Sequence, residues 1–214
     1  SRVQGKRDLA ALATLSLCGR RANEVASLNL EDIEEEDGGW FLVFLEKNNK
    51  DSRIPVSADL KEYLSDWIST AKIRDEEPQK HPQTGQLVPR PLFRTFVGKT
   101  PMLAPHLPEI RDQVSGSVIR REQGRLTARN LNRMMKRRLK AASLPMKLRP
   151  HSYRVAVIND VDDQGPQLDE VQQFVRHSYI RATRGYLRRK QEISRNLVER
   201  IRVGRVKKVE KPKE

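Results

Sequence analysis

The chain has 214 residues, of which 36% are hydrophobic, with 42 Lys and Arg against 28 Asp and Glu, four His and one Cys, for a net charge of +14. That size supports one large domain as the default, and no stretch approaches the run of about 18 apolar residues that a membrane helix needs. The lone Cys18 excludes an internal disulfide or a cysteine-based zinc cluster, and the four histidines lack metal-type spacing, so neither metal nor cofactor is expected. A soluble, reducing, cytoplasmic setting fits, and a chain opening on Ser1 with no secretory signal reads as a piece of a longer protein. The charge is uneven: residues 1–124 carry 18 Lys and Arg against 19 Asp and Glu, whereas residues 125–214 carry 24 against 9. A field of that kind attracts a polyanion, nucleic acid before membrane, since no strongly apolar amphipathic face accompanies it.

In chain order, residues 7–17 place apolar side chains at 9, 12, 13 and 17, which is helix spacing. The pattern breaks at Cys18-Gly19 and resumes over 22–30, with Val25 and Leu28 on one face. The acidic run Asp32–Asp37 leads into Gly38-Gly39, a turn signal. Residues 40–46 read as a strand by their aromatic and β-branched content, 48–51 as a hairpin tip and 52–56 as the returning strand. Leu60, Leu64 and Ile68 mark another helix.

Seven prolines between Pro78 and Pro108 exclude long helices there, so 75–124 reads as an irregular connection or insertion holding the strand-like PLFRTF. Thr127 then caps a basic helix over 128–142, with Leu131, Met134, Met135 and Leu139 inside and Arg129, Arg133, Lys136 and Arg137 available to phosphates. Further helical patterns cover 152–162, 168–176 and 180–190. In the next stretch Ile193, Leu197 and Ile201 line one face, and residues 203–214 form a basic tail. The expected fold class is α+β, mainly α-helical, with a small antiparallel β-sheet.

Four patterns carry possible chemistry, each with an ordinary reading when taken singly. In Gly19-Arg20-Arg21-Ala22-Asn23-Glu24, Glu24 lies three residues beyond Arg21 and can orient its guanidinium, although this is also how a surface ion pair looks. Lys47 sits at the mouth of the hairpin, where it can donate a proton to a leaving oxygen or be solvated. His151 and Arg154 in PHSYR are one helical turn apart and can meet at one phosphate. His177 precedes Tyr186 by nine residues, with Arg181 and Arg184 between them. A phenol of pKa about 10 attacks phosphorus poorly unless cations or a base assist it. Jointly, these residues supply every part of a metal-free phosphoryl transfer, with the arginines stabilising charge at phosphorus and the histidines and lysine handling protons.

In this order the motifs are recognisable. GRRANEVASLNLEDI, EKNNKDSRIPV, LFRTF, PHSYR and RHSYIRATRGY resemble the successive boxes of the tyrosine recombinase (phage integrase) family, with the 26-residue step from His151 to His177 and the nine-residue step to Tyr186 typical of it. The resemblance implies the catalytic-domain fold of that family over 1–202, without its N-terminal DNA-clamping domain. It implies a catalytic set of Arg21, Lys47, His151, Arg154, His177 and the nucleophile Tyr186, supported by Glu24, with Tyr179 and Lys50 the nearest substitutes. The implied reaction is cofactor-free breakage and rejoining of double-stranded DNA at recombination sites, by a tetramer assembled on paired sites from a chain that is monomeric without DNA. The segment after Tyr186 either folds back to complete its own core or, as the same resemblance implies, passes to a neighbouring protomer. Two positions depart from the family pattern: Arg176 stands where Gly is usual, and Val155 where His or Arg is frequent. A type IB topoisomerase, a catalytically inactive DNA-binding accessory protein and a basic RNA-binding module are the alternatives.

Overall fold

The structure, a computed structural model, describes residues 2–45, 51–98 and 102–163. The chain divides into two compact units, 1–154 and 155–214. The second unit is described only over 155–163, the C-terminal part of a helix. The sequence-predicted helices at 168–176 and 180–190, the stripe at 193–201 and the basic tail lie outside the described residues.

The first unit opens with α1 (Arg2–Cys18), longer than the predicted 7–17 and packed against α3 (Ala58–Ala71). The stripe at 9, 12, 13 and 17 is only partly the buried face: Ala13 is buried and Leu12 half-buried against the core. Leu9 and Leu17 are 42% and 37% exposed, while Ala10, Ala11, Ala13, Thr14 and Leu15 are fully buried. On α3 the predicted Leu60, Leu64 and Ile68 are buried, joined by Trp67, and the Ser57 hydroxyl accepts from the Leu60 amide as N-cap. Lys6 binds Asp66 and Thr70 across the α1–α3 contact, at 2.5 and 2.9 Å.

α1 also buries an ion pair. Asp8 accepts from Arg7 Nε at 3.0 Å and from Arg138 Nε at 2.8 Å, the latter on α4 (Ala128–Ala141). Burial pushes the Arg7 guanidinium below its ordinary value, and Asp8 acts against that shift.

After α2 (Ala22–Ser27) comes a three-stranded antiparallel sheet of β1 (Ile33–Glu36), β2 (Gly39–Leu45) and β3 (Asp51–Pro55), in that order. The β2–β3 hairpin is the expected one, in a register that pairs Phe44 with Ser52 and Leu45 with Asp51. β1 is a correction: the acidic run is not only a lead into a turn, because Ile33–Glu36 pairs with β2 as an edge strand. Its charges are answered from β3. Arg53 lies over the Phe41 ring at 3.7 Å and bonds Glu34 at 2.7 Å, and Glu36 as well. Trp40, Leu42, Phe44 and Ile54 alternate onto the other face and enter the core with Val25, Leu28 and Leu131.

The described residues of 75–124 carry no α-helix, as the prolines dictate, but they hold more order than an irregular connection. Two small antiparallel ribbons form, β4 (Phe96–Val97) with β5 (Met102–Leu103) and β6 (Ile110–Arg111) with β7 (Val118–Arg120). The centre of the segment is core. Leu92 and Phe93 are fully buried, Leu92 N bonds Leu28 O at 2.9 Å, Leu126 N bonds Phe93 O at 2.8 Å, and Trp67 Nε1 donates to Leu92 O at 2.8 Å. PLFRTF is therefore threaded between the chain leaving α2 and the chain entering α4. Gly124 makes the closest approach: a β-carbon there would lie 2.2 Å from the Pro105 carbonyl oxygen, so no larger residue fits. Arg125 adds a side-chain tie, bonding the Ser27 carbonyl and Asn29 Oδ1, each at 2.8 Å.

Thr127 caps α4 as expected, with its hydroxyl accepting from Asn130 N, and Leu131, Met134, Met135 and Leu139 are all buried. α5 (Pro150–Asp163) follows.

Candidate active site

The site begins where α1 ends. Gly19 at φ +60° breaks the helix in a conformation that a side chain would strain. The chain then turns through Arg20 and Arg21 into α2, burying Arg20 and leaving the Arg21 side chain 57% exposed. Glu24 clamps Arg21 twice. Its carboxylate accepts from the Arg21 backbone N–H and from the guanidinium, both at 2.8 Å. The i,i+3 relation read from the sequence is thus a real contact, and it leaves the rest of the guanidinium facing outward. Burial alone would raise the Glu24 pKa, but the two hydrogen bonds and the charge of Arg21 prevail and hold it below the ordinary glutamate value.

That shift makes a prediction. A lowered native pKa gives stability that is full above the ordinary value of about 4.3 and is lost as pH falls through the native value. Urea unfolding of the parent and of Glu24→Gln from about pH 6 to about pH 3 is expected to show a stability gap that closes on the acid side of that ordinary value. A gap unchanged down to the lowest pH would mean that ionisation of Glu24 contributes nothing.

Arg154, on the first turns of α5, is 1% exposed, and its NH1 donates to the Gly19 carbonyl at 2.6 Å. This bond ties the arginine turn to the PHSYR segment across 135 residues of sequence. His151, one turn earlier, is exposed. Together they line a cleft of about 300 Å³ with Arg20, Arg21, Ala22, Ala128, Asn132, Arg149 and Pro150, all within the 1–154 unit. The structure therefore brings together three of the six sequence-predicted catalytic residues, Arg21, His151 and Arg154, with Glu24 in support. Lys47, His177 and Tyr186 lie outside the described residues, as do Lys50, Tyr179, Arg181 and Arg184.

The sequence reading omits Arg20, Asn132 and Arg149 from the cleft. Arg149 adjoins the PHSYR motif and Arg20 adjoins Arg21, so adjacency was the available signal; for Asn132 only the packing of α4 reveals it. On α4, Arg129, Arg133 and Arg137 are exposed at i,i+4 spacing and form one basic stripe. Lys136 is half-buried, and its ammonium bonds the Met146 carbonyl beyond the helix end, which gives it a local structural task. Tyr153 is half-buried, and burial pushes its phenol above the ordinary tyrosine value, away from what a nucleophile needs.

A model of the phage integrase family matches residues 2–192. The chain belongs to that family. Among the relatives of this phage integrase family member are the tyrosine recombinase XerD of Staphylococcus saprophyticus, 25% identical over 186 residues, and XerC of Syntrophus aciditrophicus, 24% identical over 184. These matches cover 87% and 86% of this chain but 51% and 49% of the relatives, so the chain spans about half the length of the proteins it resembles. The fold is that of solved recombinases. The XerH recombinase bound to its difH substrate matches with a TM-score of 0.58 at 19% identity, covering 90% of this chain and 46% of that one. The Tn1549 transposon integrase in complex with circular intermediate DNA matches with a TM-score of 0.51 at 17% identity, covering 91% and 59%. Among the described residues no helix is long and apolar enough to cross a membrane.

Proposed function

We propose that this family member cleaves and rejoins DNA strands at specific sites through a covalent 3′-phosphotyrosyl intermediate. The observation that carries the reading is the cleft in which Arg21, Arg154 and His151 converge from separated stretches of chain, with Glu24 holding Arg21 outward. Two guanidiniums beside a histidine suit a phosphodiester whose non-bridging oxygens gain charge in the transition state.

In the reaction, the Tyr186 oxygen attacks phosphorus and the bond from phosphorus to the 5′ oxygen breaks. His151 takes the tyrosine proton, and Lys47 gives a proton to the leaving 5′ oxygen. Arg21 and Arg154 hold the non-bridging oxygens, and His177 donates a hydrogen bond to one of them. The products are a phosphotyrosyl end and a free 5′-hydroxyl. Because the phosphodiester is exchanged rather than hydrolysed, a 5′-hydroxyl of another strand reverses the step without ATP. Strand exchange between paired sites then passes through a Holliday junction within a tetramer. The named relatives are recombinases, which supports this reading over a type IB topoisomerase.

The test is trapping. The full-length protein, given a nicked suicide substrate of the site recovered by footprinting, is expected to form a denaturant-stable protein–DNA adduct. Specific binding without any adduct would make the protein an accessory DNA-binding factor instead.

The stripe on α4 supplies affinity. Arg133→Ala is expected to weaken binding to every DNA sequence alike and to reduce the slope of log K against log salt by about 0.9, the loss of one phosphate contact. Fluorescence anisotropy across a salt series reads this, and an unchanged slope would remove Arg133 from the interface.

A further inference from the structure

Arg20 lies beside Arg21 in sequence but is used differently. Its side chain is 2% exposed and passes under the hairpin, where NH2 donates to Ser52 Oγ at 2.8 Å and the guanidinium lies 5.1 Å from the Phe44 ring centroid. Phe44 and Ser52 face each other across β2 and β3, one register pair inside the last described pair, Leu45–Asp51. Lys47 follows two residues after Leu45. Arg20 also lines the cleft with Arg21, His151 and Arg154. One residue therefore touches both the phosphate-binding end of the site and the stem that leads to the lysine.

The chemistry of the side chain matters here. A leucine would fill the space beneath the hairpin with no desolvation cost, whereas a buried guanidinium must lose its hydration before its interactions are counted. A planar fork, however, offers what leucine lacks: a directional hydrogen bond to a strand side chain together with a flat face for an aromatic ring. Both contacts join the hairpin stem to the turn that carries Arg21. We propose that Arg20 is a positioning residue that sets the β2–β3 hairpin against the arginine turn and so places Lys47 for proton delivery. This rests on the reading of Lys47 as the general acid.

Replacing the bridging 5′ oxygen by sulfur tests it. A thiolate leaves without protonation, so a defect in proton delivery disappears on the sulfur substrate and any other defect remains. With the full-length protein, Arg20→Leu is expected to slow cleavage of ordinary DNA about 30-fold, within the range that a misplacement of about 1 Å produces. On the sulfur substrate the same variant stays within about threefold of the parent, and its DNA affinity also changes by less than about threefold. Ser52→Ala, the milder change, shows the same selectivity at about fivefold, and the double variant is no slower than Arg20→Leu alone because both break one contact. If Arg20→Leu does not fold, the ratio measured for Ser52→Ala decides.

Lys47→Ala serves as the reference. If it is selective for the oxygen substrate while Arg20→Leu slows both substrates equally or neither, the proposal fails and the general acid stands. If Lys47→Ala itself slows both equally, the general-acid reading fails and the Arg20 proposal falls with it.

Discussion

Tyr186→Phe is expected to bind its DNA site within about threefold of the parent and to leave no detectable covalent adduct, since affinity comes from phosphate contacts that the variant keeps. The change removes one oxygen and almost no volume, so the cleft cations and the α4 stripe remain as they are. The loss is all or none because no other group on this side chain can bond to phosphorus. Quenching a suicide-substrate reaction in denaturant and counting shifted protein measures it directly. An adduct that survives in Tyr186→Phe would move the nucleophile elsewhere, and Tyr179 would be the first to examine. Tyr153 is a poor substitute despite its place beside Arg154, because burial raises its phenol pKa and lowers the fraction ionised.

The second large effect is on folding. Asp8 is 4% exposed at its side chain and receives Arg7 NH2 at 2.5 Å and Arg138 NH2 at 2.6 Å. Arg7 is just as buried, donating also to the Arg94 carbonyl at 2.9 Å and lying 4.8 Å from the Phe96 ring centroid. Asp8→Ala leaves that guanidinium in the core without its carboxylate, a loss of about 3–5 kcal/mol. For a chain of this size the melting temperature should fall by roughly 10 °C. Replacing both partners by apolar residues, Asp8→Leu with Arg7→Met, should restore most of the loss, since the penalty belongs to the unpaired charge rather than to the missing bridge. Calorimetry on the three proteins checks both statements. A single variant within about 1 kcal/mol of the parent would show that water reaches Arg7 and that the pair is not a core element.

Much of the fold is legible in the sequence wherever a local period does the work. α4 is read correctly down to its Thr127 cap and buried residues, and α3 by its buried Leu60, Leu64 and Ile68 without its Ser57 cap or Trp67, because Leu60, Leu64 and Ile68, and Leu131, Met134, Met135 and Leu139, each mark one face of one helix. α1 is read as a helix with its inner face only partly placed, since Leu9 and Leu17 are exposed while Ala10, Ala11, Thr14 and Leu15 are buried with Ala13. β1 escapes because a Glu-rich edge strand resembles a turn until Arg53 and β2 are seen beside it. The ribbons of 75–124 escape for another reason: their strands are only two or three residues long, too short to show an alternation, and the bridges Asn29–Pro91 and Arg94–Arg125 join distant residues that no local period encodes. The candidate site divides in the same way. The Arg21–Glu24 contact is short-range and was readable, whereas the Arg154–Gly19 bond spans 135 residues and the Arg20–Ser52 bond spans 32. Family resemblance, rather than spacing, joins Arg21 and Arg154 into one set, and it leaves out Arg20 and Ser52.

Cys18 gives the protein a reporter of its own. It is the last residue of α1, it is buried, and burial pushes its thiol up to about 12, so at neutral pH almost none of it is the reactive thiolate. It is also the only cysteine in the chain. A thiol reagent added to the folded protein therefore modifies a single atom, and only when the end of α1 opens. The labelling rate counts excursions of the very turn that carries Arg20 and Arg21, with no probe to engineer and no second signal to subtract. Protection gained on adding DNA would then measure how far substrate steadies that turn before any bond is cut.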